Sequence, residues 1–94
     1  MDIDSAVVRH NAGKSRYELE IDGHLALADY VLRDGVITFT HTESPPALAG
    51  KGAASKLIHG ALVSAREQGL KVRATCSFVV AYLKRHREFA DLEA

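Results

Sequence analysis

The first half of the chain places apolar residues at every second position, which is the pattern of half-buried β-strands. The clearest case is residues 16–21, where Tyr17, Leu19 and Ile21 share one face. Asp-Gly pairs at residues 22–23 and 34–35 are typical of two-residue hairpin turns. The pattern therefore predicts an antiparallel meander of about four strands. The predicted strands are a short one at Val7 and Val8 that ends near residues 11–13, and longer ones at residues 16–21, 25–32 and 36–42.

From Gly52 onward the apolar spacing changes to three and four residues, which predicts an amphipathic helix. The helix is expected to end at Gln68-Gly69, because glycine is a favoured helix terminator. Residues 70–76 contain enough β-branched side chains to predict a fifth strand. The pattern of residues 78 to about 86 predicts a second helix. The apolar positions of the first helix are Ala54, Leu57, Ile58, Ala61, Leu62 and Ala65. Those placed on one side of the second are Phe78, Val79, Tyr82 and Leu83.

The predicted order is thus four strands, a helix, a strand and a helix. This is an α/β fold, more narrowly α+β, in a single domain over residues 1–94. The strand–helix–strand unit from Val36 to Lys71 favours a right-handed crossover between parallel strands. The turn before the first helix would then lie at the carboxyl end of a sheet strand, where open α/β sheets tend to bind ligands.

Charge and composition exclude several classes of protein. Twelve basic and twelve acidic residues cancel, so no general field attracts nucleic acid or an anionic membrane. The apolar runs are far too short for a membrane span. The acidic start, residues 1–4, lacks the features of a signal peptide, and the single cysteine fits a reducing compartment. We therefore expect a cytoplasmic protein. The histidines lack a metal-ligand spacing with one another or with Cys76, so no metal site is expected.

The most informative segment is the glycine-bearing turn that opens into the first helix. Gly50 and Gly52 remove side chains where the backbone would approach a ligand. The first N–H groups of the helix lack intrahelical partners and carry the positive end of its dipole, so an anion such as a pyrophosphate suits them. The alternative is that the glycines only shape the turn. The segment matches neither the Gly-x-Gly-x-x-Gly fingerprint nor a Walker loop.

Several motifs in order resemble the GCN5-related N-acetyltransferases, and more closely their small single-domain branch. They are His-Thr-Glu-Ser-Pro-Pro at residues 41–46, the turn from Gly50 to Ala54, and the segment from Cys76 to His86 that contains Phe78, Tyr82 and an Arg-His pair. The N-terminal half also fits, through Asn11, Arg16-Tyr17-Glu18 and Asp22-Gly23. The resemblance covers nearly the whole chain.

The chain departs from the family pattern at identifiable places. Ala49 stands where the phosphate turn usually begins with arginine or glutamine, and Ser77 replaces the proline after the cysteine. Larger members carry two helices between their first two strands, whereas only residues 11–15 separate these strands here. The acceptor site would then be open, shallow or completed by a second subunit.

The resemblance implies an acetyl-CoA-dependent N-acetyltransferase that acts on a small-molecule or protein amine. The alternative is a module that binds CoA or acyl-CoA with little transfer activity. Acetyl-CoA and an unidentified amine are the expected partners, and the chain is expected to be a monomer or a homodimer.

The expected cofactor contacts follow the chain from the end of the fourth strand. Glu43 and Ser44 would pair with the pantetheine arm, as an added strand pairs with a sheet edge. The side chain of Lys51 would add a charge-assisted contact or would simply be solvated. Arg85 would lie near the 3′-phosphate or would only complement a helix C-terminus. The backbone amides expected to hold the pyrophosphate are those of Gly50, Lys51, Gly52, Ala53, Ala54 and Ser55.

Three side chains are candidates for catalysis. Cys76 would accept the acetyl group as a thiolate, or would be an inert buried thiol. His41, expected on the strand face that carries Ile37 and Phe39, would be the base, with Glu43 as the alternative. Tyr82 matches the tyrosine by which larger family members protonate the departing thiolate, although a core aromatic role fits equally.

Overall fold

The computed structural model describes residues 5–94 and contains one five-stranded sheet in the order β1-β2-β3-β4-β5. The acidic start at residues 1–4, on which the signal-peptide inference rests, lies outside the described residues. Neighbouring strands from β1 to β4 are antiparallel, and β5 is parallel to β4. The strands are β1 Arg9–Asn11, β2 Arg16–Ile21, β3 His24–Arg33, β4 Val36–Glu43 and β5 Lys71–Ala74.

The two Asp-Gly hairpins are confirmed. Asp22 and Gly23 both have positive φ, as do Asp34 and Gly35, which is the backbone that a tight hairpin with right-handed strand twist requires. The first strand ends at Asn11, as predicted, but it begins at Arg9 and does not include Val7 and Val8. Residues 7–8 precede β1, because this segment packs across the first helix instead of pairing with β2.

The crossover between β4 and β5 is confirmed, and helix α1, Ala53–Glu67, provides it. The helix ends as expected: Gly69 has φ +72°, and the N–H of Leu70 donates to the carbonyl of Ala65. Strand β5 stops at Ala74, two residues earlier than predicted, because Cys76 already caps helix α2, Ser77–Arg85. Short 3₁₀ segments complete the described chain at Ala12–Lys14, Pro46–Leu48 and Arg87–Leu92.

The hydrophobic core lies on one face of the sheet, beneath α1 and α2. Tyr17, Phe39 and Leu57 are almost fully buried there, and the rings of Tyr17, Tyr30 and Phe39 contact one another. Phe78 is an exception to the predicted helix face, because it is 38% exposed. Strand residues that point to the opposite face are exposed or half-buried, and we call this surface the open face.

A bulge in β4 changes which side chains reach the core. Asp29 of β3 lies opposite His41, whereas Tyr30 lies opposite Phe39, so Thr40 is an extra residue in β4. Because the alternation shifts by one at Thr40, His41 joins Asp29 on the open face. The prediction that His41 shares a face with Phe39 is therefore wrong, and Thr42 takes the inward position instead.

No helix within residues 5–94 is long and apolar enough to cross a membrane.

Candidate functional site

The turn between β4 and α1 is fixed by its own hydrogen bonds and by one apolar anchor. Leu48 is buried, and its carbonyl accepts a bond from the N–H of Lys51 at 3.2 Å. Gly50 and Gly52 have φ +76° and +75°, a conformation that costs a side-chain-bearing residue about 1–2 kcal/mol. The glycines thus have a conformational reason to be present, in addition to leaving the turn without side chains.

The start of α1 presents unused hydrogen-bond donors. The first helical bond runs from Lys56 N–H to the carbonyl of Gly52. Among residues 5–94, no acceptor is found for the N–H groups of Gly52, Ala53, Ala54 and Ser55. The N–H of Lys51 was also predicted to hold the pyrophosphate, but it already donates to the carbonyl of Leu48.

Two adjoining cavities run from this turn along α2. The first, about 370 Å³, is lined by Ser44, the glycine turn and the first residues of α1. The second, about 190 Å³, lies between α1 and α2 and shares Ser55 and Phe78 with the first. We refer to the two together as the groove. The predicted contact residues that line it are Ser44, Gly50, Gly52, Ala53, Ala54, Ser55, Tyr82 and Arg85, whereas Glu43, Lys51, His41 and Cys76 do not.

Phe78 is a groove residue that the sequence reasoning assigned to the core. It begins the apolar pattern of α2, but Val79 in the same turn is fully buried while Phe78 is not, and a helical period does not distinguish the two. The exposed ring lies at the junction of the two cavities.

Tyr82 and Arg85 lie at the α2 end of the groove. The Tyr82 ring stacks on His86 with a centroid separation of 4.0 Å, and its hydroxyl lies 3.5 Å from Nδ1 of His59. Burial, assisted by the negative charge of Glu88, raises the pKa of Tyr82. At neutral pH the phenol is therefore protonated and has a proton to donate.

The carboxyl ends of β4 and β5 separate. Their last paired residues are Phe39 and Ala74, and β4 continues alone to Glu43 while the chain after β5 turns into α2. The carbonyl of Phe39 accepts from the N–H groups of both Thr75 and Cys76, which holds the branch point together. An extended polar ligand can enter between the strands here and pair with the free edge of β4.

Cys76 lies at this branch point, at the N-cap position of α2. Its Sγ is 3.4 Å from Oγ1 of Thr42, the residue that the bulge turns inward. Burial acts to raise the pKa of Cys76, but its hydrogen bonds with Thr42 and with the backbone of Val79 and Phe78 outweigh burial, so the pKa is lowered. A lowered pKa increases the share of thiolate, which is the nucleophilic form of cysteine.

His41 and Glu43 form a pair on the open face. Nε2 of His41 lies 3.4 Å from Oε1 of Glu43, and both side chains are more than half exposed. The bulge separates this pair from the inward face that holds Thr42 and Cys76. The structure thus pairs Cys76 with Thr42, which the sequence reasoning missed because a bulge leaves no signal in an alternating pattern.

No cluster of three or more metal-ligating side chains occurs within residues 5–94. The donors that the groove offers are mainly backbone N–H groups, which suit anions.

Known proteins resemble this chain in sequence and in fold. A family model described as GCN5-related N-acetyl-transferase matches residues 16–92. Protein NATD1 of mouse is 29% identical over 83 residues, covering 84% of this chain and 74% of that protein. Protein NATD1 of Xenopus tropicalis is 29% identical over 91 residues, covering 92% of this chain and 83% of that protein.

The solution NMR structure of a GCN5-like protein from Staphylococcus aureus superposes with a TM-score of 0.73 at 27% identity. The superposition covers 94% of this chain and 87% of that one. The family match spans β2 to the last 3₁₀ segment, including the glycine turn, the branch point and the groove. The chain therefore belongs to the GCN5-related N-acetyltransferase family.

Proposed function

We propose that this protein transfers an acetyl group from acetyl-CoA to an amine. The observation that carries the proposal is the start of α1, where unpaired N–H groups and two left-handed glycines line a groove beside the branch point of the sheet. Such a helix start binds phosphate without any basic side chain. This explains how the chain can dispense with a long polar side chain at Ala49.

In the proposed complex, the pyrophosphate of CoA lies against the N–H groups of Gly52 to Ser55. The pantetheine arm follows the free edge of β4 at Glu43 and Ser44, which directs the thioester toward Cys76. Arg85, near the C-terminal end of α2, provides positive charge for the nucleotide end. Lys51, whose exposed side chain is outside the groove lining, contributes charge at long range.

Transfer follows one of two routes. In the direct route, the amine nitrogen attacks the thioester carbonyl carbon, the bond to CoA sulfur breaks, and His41 or Glu43 accepts the amine proton. Tyr82, protonated at neutral pH, is the proposed donor to the departing thiolate. In the covalent route, the thiolate of Cys76 attacks the carbonyl carbon and CoA thiolate leaves. The amine then displaces the Cys76 sulfur, which leaves as thiolate while His41 or Glu43 accepts the amine proton. The lowered pKa of Cys76 supports this second route.

The alternative function is a CoA-binding module with little transfer activity. It is supported by the short connection between β1 and β2, a single 3₁₀ turn at Ala12–Lys14. Without helices at this position, the described residues leave the acceptor side of the branch point open.

Calorimetric titration with acetyl-CoA, and with free CoA as the paired run, tests the binding step. We expect saturable binding at about one site per chain. Gly52→Glu should abolish it, because the new side chain fills and charges the place where phosphate binds. The matched control is Gly69→Glu, since Gly69 has nearly the same positive φ at the far end of α1. Wild-type affinity in Gly52→Glu would remove the turn from the proposal.

Transfer is tested by the release of free CoA from acetyl-CoA in the presence of amines. If the release of CoA depends on an amine, the protein is a transferase and not only a CoA-binding module. Cys76→Ala should eliminate transfer if the covalent route operates, and a mass spectrum of the wild-type protein should then show acetylated Cys76. Full activity in Cys76→Ala would establish direct attack.

A further inference from the structure

The open face carries a cavity of about 460 Å³ at its β1–β2 side. The side chains around it come from the segment before β1, from both strands, from the intervening 3₁₀ turn and from the start of β3. Three of them are cationic, although the chain as a whole has no net charge. The lining residues that matter here are Arg9, Asn11, Lys14, Arg16, Glu18 and Glu20.

Arg16 is held in place by its neighbours. Its Nε donates to Oε2 of Glu18 at 2.6 Å, and Nδ2 of Asn11 donates to the same oxygen at 3.1 Å. The Arg16 side chain is only 22% exposed. The hydrogen bonds from Arg16 and Asn11 lower the pKa of Glu18, so this carboxylate stays ionised and holds Arg16 in place. The guanidinium is therefore oriented before any ligand arrives.

The rest of the cavity leaves cationic donors unused. The terminal amino groups of Arg16 have no hydrogen-bond acceptor among residues 5–94. Within that range neither Arg9 nor Lys14 donates a hydrogen bond, although the charge of Lys14 acts on Glu18. A guanidinium fixed through Nε presents its remaining donors as a fork that fits a carboxylate or phosphate. Glu20, farther along β2, also lines the cavity and opposes a ligand that is negative throughout.

The register connects this cavity with the candidate catalytic residues. Arg16 lies opposite Asp29, and Asp29 lies opposite His41, so the three form one row across the open face. The row spans two interstrand spacings, or about 10 Å between the outer backbones. The Arg16 side chain turns toward Glu18 and Asn11, so a ligand that joins the Arg16 fork to the His41–Glu43 pair has to span at least this distance.

We infer that the Arg9–Lys14–Arg16 cavity binds the carboxylate of the acceptor, and that the acceptor is an amino acid or short peptide whose reactive amine lies several bonds from that carboxylate. This inference rests on the proposed transferase function. The carboxylate accepts from the Arg16 fork, and the chain of the acceptor crosses Asp29. The amine then reaches the His41–Glu43 pair beside the thioester.

The inference is tested with three probes that share one amine: aminocaproate, its amide and hexylamine. Binding is measured by ¹⁵N chemical-shift titration of the CoA-saturated protein, so that no turnover is needed. We expect aminocaproate to bind about tenfold more tightly than the amide, as a hydrogen bond to a charged group predicts. Its shifts should centre on Asn11, Lys14 and Arg16. Equal affinities of acid and amide would overturn the inference.

Variants distinguish binding of the carboxylate in this cavity from general attraction to a positively charged surface. Arg16→Lys and Lys14→Gln should each reduce the preference for the acid, and Lys14→Gln leaves the Arg16–Glu18 anchor intact. Arg33→Gln is the control, because it removes the same charge from the same face outside this cavity. An equal loss in Arg33→Gln would overturn the inference.

The failure of the two proposals can be distinguished. If CoA binds and all three amines are acetylated with equal kcat/KM, the carboxylate site is wrong and the transferase stands. If CoA does not bind in calorimetry, the transferase fails, and with it the assignment of this cavity to an acceptor. Acetylation of aminocaproate at about tenfold higher kcat/KM than the amide supports both.

Discussion

At the scale of single residues, the environment of Cys76 is the most consequential feature of this protein. Burial of the thiol and hydrogen bonds to its sulfur act on the pKa in opposite directions, and the hydrogen bonds prevail. Thr42 is the side chain among these partners, and it reaches the sulfur only because the bulge at Thr40 turns it inward. The hydrogen bond between Cys76 and Thr42 thus depends on a backbone irregularity in β4.

We predict that Cys76 is alkylated by iodoacetamide faster at pH 7 than a cysteine in an unstructured peptide. Because the folded-state pKa is lowered, the thiolate is present above that pKa and is lost as the pH falls through it. Thr42→Val should slow alkylation at pH 7 several-fold and shift the pH profile upward. Thr38→Val, on the open face of the same strand, is the control. An unchanged profile in Thr42→Val would show that the backbone donors alone lower the pKa.

At the scale of elements, the close approach between the first described segment and α1 requires a glycine. A Cβ on Gly60 would lie 2.6 Å from Cγ2 of Val8 and 2.7 Å from its Cβ. This contact replaces the strand that the sequence pattern suggested at residues 7–8. The segment contributes to the core through Ala6, which is 4% exposed.

Gly60→Ala should therefore destabilise the protein, although alanine is the better helix former by about 1 kcal/mol. The clash is with a β-branched side chain next to its own backbone, and overpacking of this kind typically costs about 1–3 kcal/mol. Urea denaturation measures the change in the free energy of unfolding. Val8→Ala combined with Gly60→Ala should recover part of the loss. If the double variant recovers no stability, the loss in Gly60→Ala does not come from the contact with Val8.

At the scale of the whole molecule, the core is one-sided: both helices and nearly all large buried side chains lie on one face of the sheet. The proposed CoA groove lies at one end of this core, between β4, α1 and α2. The open face carries the His41–Glu43 pair and the Arg9–Lys14–Arg16 cavity. The proposed cofactor and acceptor thus approach the branch point of β4 and β5 from different sides.

A ligand that binds only the folded chain should raise its melting temperature. Free CoA at one hundred times its Kd is expected to stabilise the protein by about 2.7 kcal/mol. For a domain of this size, that corresponds to a rise in Tm of roughly 10–20 °C. Calorimetric scans with and without CoA measure it, and Gly52→Glu should show no rise while Gly69→Glu does. A similar rise in both variants would mean that CoA binds away from the turn.

Much of this protein follows from its sequence alone, because local patterns report local structure. The alternation at residues 16–21, the Asp-Gly turns and the spacing in α1 predicted the elements close to where they lie, and the motifs identified the family. The glycine turn was recognised because a helix start and its glycines are adjacent in the chain.

Tertiary structure alone decided the details on which the chemistry depends. The bulge at Thr40 moved His41 to the open face and brought Thr42 to Cys76, since bulges depend on the pairing of two strands. The exposure of Phe78 and the burial of Ala6 depend on which elements pack against each helix. The proximity of Arg9, Lys14 and Arg16 depends on strand register, because separate strands converge only when the sheet is assembled.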